Sequence, residues 1–226
     1  VLEQRINDNA KELKQTFNET LRMEQNCLEQ IRHSINHCKN NIAVCEKQIK
    51  KCSSASLAIL ETKKSAFKDN LLIWNTMGHI QMASIEMKEY MKRLSVESID
   101  EWEERDVIKS VYTAIYETSK KLVDATADIF KFIKHYFPNY DYRAFTDVRK
   151  ELCRFRESNT SELTRVRNTI DAHRDVEVSV QIEVIEGLHL ANAVQLIVEY
   201  EGIINKLGNE TSPIKELGLK RLQACF

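Results

Sequence analysis

"LRMEQNCLEQIRHSINHCKNNIAVCEKQIKKC", residues 21 to 52, places Leu21, Leu28, Ile35, Ile42 and Ile49 seven residues apart, with Ile31, Cys38, Cys45 and Cys52 as a second row offset by three. Two apolar rows with that offset are the core positions of a heptad, so the stretch predicts one long helix, from Leu2 to about Lys51, with a narrow apolar seam. Three of the four residues in the second row are small cysteines. The helix-helix contact they make is therefore expected to be close but weaker than a leucine row would give. "CSSAS", 52 to 56, ends or bends the helix. The seam can pair within the chain, against 57–94, or with the arm of a second copy.

Working outward, 57–94 reads as a second helix. "SVESIDE" then offers Ser98 with Glu101 as a capping box for a third helix over about 99–137, which "FPNYDY" closes. A fourth covers about 142–172, with a possible restart at "ESNTSE", where Thr160 or Ser161 would cap. Beyond it 178–207 is apolar on nearly every side, which predicts one helix buried all round, ended by "GNETSP" before a short helix from Pro213. The fold class expected is all-α: a bundle of long antiparallel helices (56–226) preceded by a coiled-coil-like helical arm (1–55).

Composition agrees. Only 5 Gly and 2 Pro punctuate 226 residues, and 30% are charged, which favours a few long helices over many short strands. The net charge of -1 excludes a protein that coats nucleic acid by broad phosphate neutralisation, while leaving room for a local basic site. Six cysteines without C-x-x-C pairs are expected to be reduced thiols. No apolar run reaches membrane-spanning length, and the opening "VLEQRINDNA" lacks a signal-peptide core, so no membrane association and a cytoplasmic location are expected. A first residue other than Met points to trimming or to a boundary within a longer chain.

Several chemistries can be set aside. Glu186 with His189 is a single Glu-x-x-His where a di-iron bundle needs two. His33 and His37 stand at i, i+4, but outside the heptad seam and without a third ligand. No phosphate-binding glycine loop, nucleophile elbow or H-E-x-x-H is present. No cofactor or metal is called for.

One stretch carries a chemical pattern: "RVRNTIDAHRD", 165–175. Arg167 and Asn168 are followed by Ala172-His173-Arg174-Asp175, and Leu163, Val166 and Ile170 form an apolar stripe, with Arg167 and Arg174 on one edge and His173 on the other. Seven of the 13 arginines fall between 143 and 174, and Arg is the side chain suited to bidentate phosphate contact. Carboxylates interleave with them, so Arg167 with Asp171 also fits an ordinary i, i+4 pair.

Over these residues the chain resembles the HEPN superfamily, whose motif is Arg, four to six residues, then His, and in particular its abortive-infection members, whose motif ends Ala-His-x-Asp. The resemblance implies a metal-independent endoribonuclease, with Arg167, His173 and Asn168 catalytic and with Arg165, Arg174 and Asp175 at the substrate. It also implies a homodimer with paired motifs in one cleft, and the toxin of a defence or toxin-antitoxin module. In a straight helix Arg167 and His173 point about 120° apart, so convergence needs a bend or a second copy. The stripe and the helix from Val178 are expected to form that two-fold interface, and the arm to meet an antitoxin or a partner helix. The alternatives are a non-catalytic nucleotide- or RNA-binding domain and a helical assembly module.

Overall fold

A computed structural model of the chain describes residues 2–52, 54–172 and 177–225, leaving out the side chains of 2–8, 54–55 and 170–172. These residues form six α-helices and one π-helical segment, with no strand among them: α1 (Leu2–Ile49), α2 (Ser54–Val96), α3 (Glu101–Tyr136), α4 (Arg143–Val166), the π segment (Arg167–Ala172), α5 (Val178–Glu186) and α6 (Leu190–Gln223). The all-α expectation holds. At 48 residues α1 is about 72 Å long.

The heptad seam of α1 is used within the chain. Ile31 and Ile35 close over Gly78, His37 meets the ring of Phe67, and Glu24 meets Gln81 and Lys88, which makes α1 and α2 antiparallel partners. Ile31, Cys38 and Cys45 are the buried row, whereas Leu28, Ile35, Ile42 and Ile49 are half-buried. The described cysteines are free thiols.

The continuous core is drawn from α2 to α6 and includes Ile73, Met87, Ile115, Leu122, Ile133, Leu152, Ile197 and Tyr200. The buried residues of α1 stand outside it. α2 and α6 pack tightly at Gly218, where a Cβ would lie 2.8 Å from both Asn70 Oδ1 and Ile73 Cδ1. Asn70 Nδ2 donates to the Gly218 carbonyl at 2.8 Å, so one buried amide locks the contact that the glycine permits.

Five expectations are corrected. The capping box of α3 is Asp100 with Glu103 rather than Ser98 with Glu101: Asp100 Oδ1 accepts from the Glu103 amide at 2.8 Å and Glu103 Oε2 from the Asp100 amide at 3.1 Å. α4 runs unbroken through "ESNTSE", because Asn159 and Thr160 bond back to the carbonyls of Phe155 and Arg156 instead of capping a new helix. The apolar region after Val178 is two helices, separated at Gly187–His189. α5 is not buried all round either: Val178 is 68% and Ile182 42% exposed. Conversely, α6 passes through "GNETSP" to Gln223 with Pro213 inside it. A mid-helix proline costs about 3 kcal/mol, and the buried row Ile203, Leu207, Thr211, Ile214 and Gly218 on both sides of it offsets that.

Candidate functional site

α4 keeps Phe145, Leu152, Phe155, Leu163 and Val166 in the core, and among its polar residues Glu162 meets Tyr112 of α3 and Glu151 meets Lys206 of α6. Leu163 and Val166 are 1% and 0% exposed, so these two belong to the chain's own core and not to a surface awaiting a second copy. That part of the expected interface is overturned. The reason lies in the neighbours: α3 and α6 both pack on α4, and Leu163 and Val166 join the core that they share.

At Arg167 the α-helical pattern gives way to π geometry, which continues through Ala172. A π turn is rare and occurs mostly as a single bulge, often at a functional position. The Arg167 amide is shared between the carbonyls of Leu163 and Thr164. Its side chain crosses to α3. The guanidinium lies 5.4 Å from the centroid of the Tyr116 ring, Nη2 is 3.3 Å from Glu117 Oε1, and Nη1 donates to Asn168 Oδ1 at 3.1 Å. Asn168 therefore orients Arg167.

The Arg167–Glu117 pair is 33% and 40% exposed at its two side chains. Exposed pairs are worth roughly 0–1 kcal/mol. A phosphate, which offers a bidentate charge-assisted contact, can outcompete such a carboxylate for part of the guanidinium. Beside Glu117 a shallow groove of about 340 Å³ opens between α2 and α3, lined by Glu86, Tyr90, Lys109, Thr118 and Lys121 among others.

Arg165 points to solvent and has no ion pair among the described residues. On the same turn Glu162 accepts from the Tyr112 hydroxyl at 3.3 Å; burial and that carboxylate push the phenol up to about 12. His173, Arg174 and Asp175 lie outside the described residues, as does the side chain of Asp171. The structure thus brings Arg167 and Asn168 together and keeps Arg165 apart.

Tyr116 and Glu117 were missed by sequence reasoning. They sit on a different helix some fifty residues upstream, and only the antiparallel packing of α3 on α4 brings them to Arg167. The same Arg-to-His spacing also occurs at Arg32 and His37 on α1, where Arg32 pairs with Glu29 at 2.6 Å and His37 with Asn41, both side chains exposed. His33 and His37 do border a groove with Cys38, Asn70 and Trp74, yet no group of three or more metal-ligating side chains occurs among the described residues. Nor is any helix there long and apolar enough to cross a membrane.

Compared with protein-family models, curated proteins and solved structures, the chain matches none. The candidate site therefore rests on its own geometry.

Proposed function

We propose that this chain is a HEPN-type, metal-independent endoribonuclease, acting in the cytoplasm as the toxin of a defence or toxin-antitoxin module. The observation that carries this reading is the departure from α-helical geometry at Arg167, the first residue of the motif, together with the partial exposure of its guanidinium. In this mechanism one His173 takes the proton of a ribose 2′-hydroxyl as its oxygen attacks the neighbouring phosphorus. The bond from phosphorus to the 5′-oxygen breaks, and His173 of the second copy protonates the leaving oxygen. Arg167 stabilises the charge developing on the phosphate, and Asn168 holds Arg167 in place. Arg165, Arg174 and Asp175 would meet substrate or support the imidazole.

Two copies of the motif are required, and α5 supplies the surface to join them. It follows the motif directly and leaves Val178, Val180 and Ile182 exposed. An antitoxin or partner helix would engage the outer face of α1, where Leu13 and Met23 are exposed.

The test is cleavage of single-stranded RNA by purified protein in the presence of a metal chelator. His173→Ala should abolish cutting without changing helicity or oligomeric state, and undiminished cutting by that variant would sink the assignment. The contacts of Arg167 with Tyr116 and Glu117 favour a second reading, a structural arginine in a helical assembly module. In that case Arg167→Ala would lower stability and wild type would show neither cleavage nor RNA binding.

A further inference from the structure

The helices α3 and α4 run antiparallel, with Phe130 beside Arg149 and Tyr116 beside Arg167. At 100° per residue, Arg149 and Arg156 fall on one edge of α4 and Arg167, which caps its C-terminus, continues that edge, because steps of 7 and 11 residues return to within about 20°. The facing edge of α3 carries Tyr116, Lys120, Phe130 and Lys134, again at helical spacing. Between Arg149 and Arg167 no carboxylate falls in the α4 row, and between Tyr116 and Lys134 none falls in the α3 row; Asp171, one turn beyond Arg167, has its side chain outside the described residues. Flanking acids on α3 are Glu117, which meets Arg167, and Asp128, which meets Lys131, with Asp124 one step farther round; on α4 Glu157 stands at a similar offset from the arginine row.

Three features make this seam more than a solvated face. Arg149 lies 5.6 Å and Lys134 5.1 Å from the centroid of one ring, Phe130, so two like charges share a site, and among the described residues no carboxylate is in ion-pair contact with either. Arg149 Nε is buried and lacks a hydrogen-bond partner, and Arg156 has no ion pair among the described residues. Finally, two of the three arginines of the row lie over half-buried rings. That orders the guanidinium before any ligand arrives, leaving less entropy to lose on phosphate contact.

We infer that the α3–α4 seam is a track for single-stranded RNA, along which Lys134, Arg149 and Arg156 lead the phosphate backbone toward Arg167. From Arg149 to Arg167 is about 27 Å along the helix axis, a run of several nucleotides rather than the footprint of one small anion. Ring-backed guanidinium planes also suit stacked bases. A lipid surface fits poorly, because none of the exposed large apolar side chains lies on α4 and on α3 only Trp102 does, at its far end. The choice of RNA among linear polyanions rests on the ribonuclease reading of the motif.

The test uses the full chain and an oligouridylate of about a dozen nucleotides with 2′-O-methyl sugars, which cannot be cleaved by 2′-hydroxyl attack, so binding is read without turnover. Fluorescence anisotropy should show saturable binding at moderate salt. Lys134→Gln with Arg156→Gln, neither residue being in the core, should weaken it about tenfold and reduce the slope of log K against log salt by about 1.4. Arg149→Lys tests the stacked fork separately and should weaken binding severalfold at unchanged charge. Unchanged affinity in the double variant, absence of binding by wild type, or tighter binding to anionic phospholipid vesicles than to the oligonucleotide would each overturn the track. Seam-dependent binding in a protein that cuts no RNA would refute the nuclease and leave the track standing. Cleavage that the seam substitutions do not slow would do the reverse.

Discussion

Arg167 illustrates how one residue's role depends on its neighbours. On the helix alone it is one arginine among seven; in the structure it is the residue at which π geometry begins, and its charge is shared between a ring and a carboxylate of α3. Glu86, in the adjoining groove, is a second residue whose surroundings set its behaviour. Burial pushes its carboxyl above the ordinary carboxylate value, and Lys121 only partly offsets this. For an acid raised in the folded state, the stabilising contribution is present below the unfolded value and is lost as pH rises through the folded one. At neutral pH, therefore, the ionised Glu86 weakens the fold. Glu86→Gln should raise the melting temperature at pH 7 by about 1 to 3 °C, with the gain shrinking toward pH 4. Thermal unfolding at the two pH values checks this, and an equal gain at both would show that charge is not the cause.

Among elements, the attachment of α1 turns on a polar contact as well as on the heptad seam. Lys88 of α2 meets Glu24 of α1 at 2.6 Å and Glu201 of α6 at 2.7 Å, with Ser84 also in reach. Burial lowers the Lys88 pKa, but hydrogen bonds to Glu201 and Glu24 outweigh this and hold the ammonium above its ordinary value. The three side chains are only 13 to 22% exposed. Removing the cation leaves two carboxylates facing each other in a poorly solvated site. Lys88→Met is expected to destabilise the protein by about 2–3 kcal/mol in urea unfolding. Adding Glu24→Gln and Glu201→Gln should recover most of the loss. Additive losses in the triple variant would show that the cluster acts through packing rather than charge.

For the whole molecule, the surface offered to a second copy is narrower than the apolar pattern of the sequence suggests. Leu163 and Val166 are inside the chain's own core, which leaves α5 with Val178, Val180 and Ile182 as the apolar face nearest the motif. A homodimer built there would place both copies of 167–175 at the seam between the subunits. Light scattering at micromolar concentration should report a dimer for the wild type, and Val178→Asp with Ile182→Asp should shift it to monomer with helicity retained. If catalysis needs two histidines, cleavage should fall with the dimer. A wild-type monomer, or a charged α5 that still dimerises, would remove this interface and the two-copy mechanism built on it.

The heptad rows of 21–52 were legible because a period of seven is a local property: any helix with that pattern has one apolar seam, whatever it later packs against. The scarcity of Gly and Pro specified long helices in the same way. Which partner covers a seam is not local. Cysteines 38 and 45 are buried because α2 folds back on α1, and the stripe of Leu163 and Val166 is closed by α3 and α6. Helix boundaries failed where distant contacts outweighed local preference. Pro213 is carried through α6 by a buried row on both sides, and Asn159 and Thr160 are held in α4 by bonds to their own helix. The motif's residue types and spacing stood in the sequence. Its partners Tyr116 and Glu117, and the alignment of Phe130 with Arg149, exist only once α3 lies antiparallel to α4, because that packing brings together residues that no spacing along the chain relates.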